Sequence, residues 1–357
     1  MQKCVYLVTF FLVLAACSSH PQKFRHWFPK YEYHWLEASE TCRVQLNDYW
    51  TGNRTRNHAI CAVATDCILR NTTETIKSNM ASAAIFLGLA PSILALLGPS
   101  VTELSLLSAR FPILAILLAL ASPAINSLNR FRGPESSGEI LGTSTSKIAH
   151  CWHDWMKNQS PPVKAAVRAA EYVVVVGMLV NTIQVSIHLD LRSVSGWRCG
   201  QMHMPLIWSL LSLIVHGMGI LAVHLRQQAP STYIASQCPE PAGKGRSLCS
   251  PYLRLGTVLF GSRRWQCLVR GQDGKFGELL FWLASLTGIG HIMFGVLVFS
   301  SLIFVGALDA LPVLARYAVS AAVCQAILLL ELAGMRLDMA GTELTAKEEA
   351  QATSDAK

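Results

Sequence analysis

Six apolar runs punctuate this chain, at about residues 79–98, 111–127, 169–189, 203–225, 279–305 and 311–333. Each lies near the roughly 17–25 residues that cross a bilayer as a helix. The connections at 99–110, 190–202 and 306–310 are short and pair the runs into three helical hairpins, whereas 128–168 and 226–278 are long and polar. Pro91 and Pro123 fall inside the first two runs, where a membrane helix tolerates proline if neighbours satisfy the freed carbonyls. The pattern predicts an all-α integral membrane protein, a six-span bundle of three hairpins over residues 78–335. No inverted repeat relates its halves, which argues against the commonest transporter architecture.

The flanks read differently. "MQKCVYLVTFFLVLAACSS" has one lysine, a short apolar run and then small residues, which predicts a signal peptide over 1–18 rather than a span. Residues 19–77 are mixed and polar, and predict a small N-terminal ectodomain, extracellular or luminal. Its disulfide candidates are Cys42, Cys61 and Cys67, with Cys61 and Cys67 nearest in sequence; spacing alone does not fix a pairing. Sequons at Asn53 and Asn71 fit an exported segment, and a third, Asn158, lies in the first long loop before Pro161. Residues 336–357 are polar and low in aromatics, which predicts a disordered tail.

Composition agrees with a membrane protein: 52% hydrophobic and 15% charged, against about 25% charged in a soluble domain. The net charge of +8 does not point to nucleic acid, because no basic helix or aromatic-basic motif carries it. Its distribution raises a conflict instead. The two long loops hold 14 Lys/Arg and the three short connections only 3. Basic loops stay on the cytosolic side, yet an outside N-terminus with six crossings puts both long loops outside. A re-entrant second segment, leaving five crossings, would remove the conflict, as would an ectodomain that overrides loop charge; the reading kept is six crossings with the N-terminus outside.

Polar side chains inside apolar runs are costly and point to function. Measured from the long-loop side at about 1.5 Å per residue, Asn181 and His291 lie ~18 Å deep, His216 ~13 Å and Gln325 ~12 Å. These four are the candidate ligand-binding residues. "HGMG" at His216–Gly219 and "GIGH" at Gly288–His291 mirror each other on antiparallel helices. Gly217, Gly219, Gly288 and Gly290 are therefore expected to let those helices pack closely. The paired imidazoles would then hydrogen bond, hold a polar ligand group, shuttle a proton, or ligate haem or a metal. No cofactor is assigned, and the metal question stays open. Asn181, Gln184 and His188 share one helical face, while Glu171, Arg316 and Glu331 read as boundary residues.

"HCWHDW" at His150–Trp155 gathers metal-ligand types, but no finger-type spacing completes a site. It reads as an interfacial loop anchored by Trp152 and Trp155. Cys151, Cys238, Cys249 and Cys267 occupy the long loops, where their redox state reports the side of the membrane. There is no nucleophile elbow, phosphate-binding loop or His-Glu-x-x-His.

Cys67, Glu74–Lys77, Leu87–Pro91 and Leu97–Glu103, within residues 65–125, resemble multi-pass membrane proteins of filamentous fungi. The resemblance implies a plasma-membrane or endomembrane protein and carries no activity or site residues. The sequence favours a non-enzymatic role: binding, sensing or transport of a small lipophilic ligand, with the bilayer as partner. An embedded enzyme acting on a lipophilic metabolite, or a subunit of a membrane complex, are the alternatives.

Overall fold

The computed structural model describes residues 23–51, 57–126, 147–197, 199, 203–226 and 275–355. The expected signal peptide, Asn53, Cys238, Cys249 and Cys267 lie outside them. Near the N-terminus run α1 (Glu32–Thr41), α2 (Arg43–Thr51) and α3 (Asn57–Arg70), then α4 (Glu74–Leu97), α5 (Val101–Arg110) and α6 (Pro112–Ala121). After these come α7 (Lys147–Asn158), α8 (Pro161–Arg192), the two-residue strand β1 (Val194–Ser195) and α9 (Met204–Arg226). The described chain ends with α10 (Lys275–Ser300), strand β2 (Leu302–Ile303) and α11 (Ala307–Asp355).

Among the described residues five helices are long and apolar enough to cross a membrane: α4, α8, α9, α10 and the Ala307–Gly341 stretch of α11. The protein is thus an all-α membrane-embedded chain. Two expectations are corrected. The second apolar run, 111–127, forms only the ten-residue α6, about 15 Å long and half of what a crossing needs. Proline causes this: Pro123 disfavours helical backbone in the residue before it, and Ser122 is extended there. The segment expected to be a disordered tail is instead the C-terminal part of α11, which stays helical to Asp355.

The chain forms two compact units. The first, from Met1–Ser92, Ile183–Ser209 and Met293–Arg316, is organised by an aromatic core. Phe304 is completely buried and lies edge-on to Trp35 at 5.1 Å, Trp27 at 5.4 Å and Phe24 at 6.1 Å. Phe24 and Phe304 both take left-handed backbone, at φ 65° and 68°. Bulky residues adopt that conformation only when their surroundings enforce it, and here the ring contacts do so. β1 and β2 pair antiparallel, Val194 with Ile303 and Ser195 with Leu302, so the two short links lie together.

Two disulfides staple this unit, Cys42–Cys67 and Cys61–Cys199. The pair nearest in sequence, Cys61 and Cys67, is therefore not the bonded one. Lys23 is buried and donates to the main-chain oxygen of Asp190, to Asp190 Oδ1 at 3.0 Å and to the Ser193 carbonyl at 3.0 Å. It thereby satisfies an open carbonyl in the last turn of α8 and places a cation at the negative end of that helix. Burial lowers the pKa of its ammonium from the ordinary lysine range, opposed by the charge and hydrogen bond of Asp190.

Small-residue packing is also seen at a glycine outside the mirrored motifs. A Cβ on Gly295 of α10 would stand 2.3 Å from the Trp208 indole nitrogen of α9 and 2.8 Å from Pro91 Cγ. Trp208 in turn lies edge-on to Phe299 at 4.9 Å.

The second unit comprises Ile93–Thr182, Leu210–Ile292 and Tyr317–Lys357. Its core is aliphatic, with Leu104, Leu107, Leu114, Leu118, Leu328 and Leu332 completely buried. A capping box starts α5: the Ser100 hydroxyl accepts from the Glu103 N–H and the Glu103 carboxylate accepts from the Ser100 N–H.

Candidate functional site

The interior of the second unit holds all four candidate ligand residues, and it is built around the end of α6. That helix buries Leu114, Ala115, Leu118, Ala119, Leu120 and Ala121 and stops beside the middle of longer helices. Its last carbonyls have no partner within the helix. The Ser212 hydroxyl of α9 donates to the Ala119 carbonyl at 2.8 Å, and the Thr182 hydroxyl of α8 donates to the Ala121 carbonyl at 2.8 Å. Non-helical backbone at membrane depth persists only where protein or water satisfies it, and these hydroxyls supply that here.

Beyond α6 the chain turns back on itself. Residues 122–126 return beside 98–100, with the Asn126 N–H donating to the Pro99 carbonyl at 3.1 Å. A Cβ on Gly98 would stand 2.4 Å from the Ala124 carbonyl oxygen, so only glycine allows this approach. Gly98, Pro99, Ser100 and residues 122–125 are all buried. Such buried, interrupted helices resemble the backbone breaks that line intramembrane sites in other membrane proteins.

The polar residues divide into two kinds. Asn181 Nδ2 donates to Ser320 Oγ at 2.9 Å, which joins α8 to α11. His216 of α9 is completely buried, and neither of its ring nitrogens has a hydrogen-bond partner. His291 of α10 is 5% exposed. Gln325 on α11 has a buried Oε1 without a partner. Both imidazoles thus lie inside the second unit, and Asn181 serves as an interhelical tie. On the same helix but in the first unit, Gln184 Oε1 accepts from Arg316 at 3.0 Å and His188 lies edge-on to Phe28.

Of the mirrored glycines, Gly217 and Gly290 make no close helix approach, and Gly219 approaches chiefly α5, with Phe281 of α10 at 3.6 Å. Gly217 and Gly290 face open space, and a Cβ on Gly219 would meet Val101 Cγ1 of α5 at 2.3 Å. Their expected role is corrected accordingly for these three. Among the described residues no three His, Cys, Asp or Glu side chains gather as a metal site, so any metal at the pair would rest on two imidazoles.

Two features went unforeseen. Cys199 was not among the disulfide candidates, because it lies in a short link far from the other cysteines in sequence. "HCWHDW" is helical, part of α7, and not the expected loop; its Trp152 and Trp155 rings stack at 5.2 Å. Beside it, Arg168 Nη1 pairs with Glu171 at 2.6 Å and Glu331 at 2.8 Å, and Arg110 Nη1 pairs with Asp338 at 2.8 Å. Arg168, Glu171 and Glu331 therefore form a connected ion network rather than separate boundary residues.

These features define an all-α, multi-helix membrane protein with a histidine pair in its interior. No family model matches the chain, and no curated protein or solved structure matches it.

Proposed function

We propose that this protein crosses the membrane five times, with residues 19–77 as an extracellular or luminal ectodomain, and binds a small lipophilic ligand through its histidine pair. Its role is binding, sensing or transport rather than catalysis. The orientation rests on Cys61–Cys199. A disulfide needs both cysteines in one oxidising compartment. Six crossings would put the 190–202 link on the side opposite Cys61, whereas five put it on the same side. Five crossings also put both long loops, with their 14 Lys/Arg, on the cytosolic side, as loop charge requires. Asn158 is then cytosolic and unglycosylated, while Asn53 and Asn71, both in the N-terminal region, remain the acceptors.

The ligand reading is carried by one observation: His216 buries two ring nitrogens with no partner. Leaving a buried polar group unsatisfied costs about 1–3 kcal/mol, and a ligand hydroxyl or carbonyl would recover that cost. The test is organic extraction and mass spectrometry of protein purified in mild detergent, comparing the natural chain with His216→Leu. A small lipophilic compound that accompanies the natural protein and is lost from a variant with an unchanged elution profile is the expected result. The same compound in both, or none in either, overturns the reading and leaves the histidines as packing residues.

A further inference from the structure

A cleft of about 460 Å³ opens in the second unit between α7, the start of α8 and the later part of α11. Its lining includes four cations, Arg110, Lys157, Lys164 and Arg168, against the carboxylates of Glu331 and Asp338. The ion pairs engage both arginines and both carboxylates. Lys157 and Lys164 are exposed and have no ion pair among the described residues, the Lys164 ammonium donating only to the Lys157 carbonyl at 2.9 Å. The guanidiniums of Arg168 and Arg110 both lie over one aromatic side chain, 4.1 Å and 5.2 Å from the Phe111 ring centroid. Arg168 Nη1 is held by Glu171 and Glu331, and a guanidinium fixed in this way is a donor fork suited to phosphate oxygens.

Apart from His153, whose Nε2 lies 3.5 Å from Asp338 Oδ1, the rest of the wall is apolar, including Trp152, Met156 and Leu330. Trp152 stacks on the exposed Trp155, and indoles concentrate at the membrane–water boundary. The cleft also sits where α8 begins and before the apolar stretch of α11 ends at Gly341. A cationic recess with an apolar wall at that level matches a charged headgroup whose chains remain in the bilayer.

We propose that this cleft binds the phosphate headgroup of an anionic glycerophospholipid, with Lys157 and Lys164 supplying the uncompensated charge and Arg110 and Arg168 the fixed donors. The proposal rests on the membrane reading and not on the histidine pair.

The experiment titrates the full chain in mild detergent with dioctanoyl phosphatidic acid, dioctanoyl phosphatidylcholine and inorganic phosphate, following bound mass by native mass spectrometry. Phosphatidic acid is expected to bind at least about tenfold more tightly than phosphatidylcholine, and to weaken by roughly tenfold or more in Lys157→Ala/Lys164→Ala. That variant leaves every arginine–carboxylate pair in place. Inorganic phosphate binding as tightly as the lipid would overturn the assignment to a headgroup. Equal binding of the two lipids, or an unchanged double variant, would overturn the site. As a readout that needs no variant, binding to the natural chain must weaken by about tenfold when salt rises from about 0.05 to 0.5 M; salt-independent binding overturns the proposal as well.

Discussion

Cys61 and Cys199 are separated by 138 residues and joined by a disulfide, with their Cα atoms 5.7 Å apart. The bond ties α3 to the link between α8 and α9, beside the Cys42–Cys67 bridge. Peptide mapping without reduction is expected to return these two pairs and no Cys61–Cys67 peptide. Removing the long-range bridge with Cys61→Ala/Cys199→Ala should cost about 2–5 kcal/mol, read as earlier unfolding in mild detergent.

The same bridge makes Cys151 a topological reporter. Cys151 is a free, exposed cysteine on α7. With five crossings it faces the cytosol, so an impermeant maleimide applied to intact cells should not label it, while labelling should follow permeabilisation. Labelling of Cys151 on intact cells would reverse the orientation. The comparison uses a chain in which Cys238, Cys249 and Cys267 are replaced by serine.

His216→Leu is expected to stabilise the ligand-free protein. The substitution removes two buried nitrogens that lack partners and keeps an apolar side chain in an apolar core, a change worth about 1–3 kcal/mol. A loss of stability would show that the imidazole makes a favourable interaction in the empty protein. Thermal unfolding monitored by tryptophan fluorescence separates the two.

Glycine substitutions should separate by position rather than by motif. Gly295→Ala drives a methyl group into Trp208 and Pro91 and should cost about 1–3 kcal/mol through overpacking. Gly217→Ala and Gly290→Ala meet open space and should be neutral, or stabilising by up to about 1 kcal/mol through helix propensity. Yields of monodisperse protein and unfolding midpoints provide the comparison.

Lys23→Met leaves the Asp190 carboxylate buried without its lysine partner and should destabilise by roughly 3–5 kcal/mol. The natural lysine also imposes a pH dependence. Its folded pKa is lowered by burial from the model-compound value of 10.5, so the unfolded chain binds more protons between the folded value and 10.5. Stability from this group therefore rises with pH across that window. The contribution should vanish in Lys23→Met, which denaturation series at neutral and alkaline pH would measure.

The pattern of apolar runs was enough to define an all-α membrane chain and all five of its long apolar helices. Those properties follow from local composition, because twenty or so apolar residues have few alternatives to a membrane helix. Asn181, His216, His291 and Gln325 were legible for the same reason: a polar side chain in such a run stands out against its neighbours. The second run misled, since its apolar residues serve equally for a crossing and for a short helix buried in protein. What stops α6 is Pro123, and what makes the stop tolerable is the pair of hydroxyls on Ser212 and Thr182, which lie in other helices.

Tertiary structure alone decided the rest. It paired Cys61 with Cys199, gave Gly295 rather than Gly217 the close approach, and gathered Arg110, Lys157, Lys164 and Arg168 around one cleft. Each of these depends on which surfaces of distant segments meet. Sequence fixes a residue's depth along its own helix, whereas the neighbour across the interface is set by how helices rotate and pack against one another.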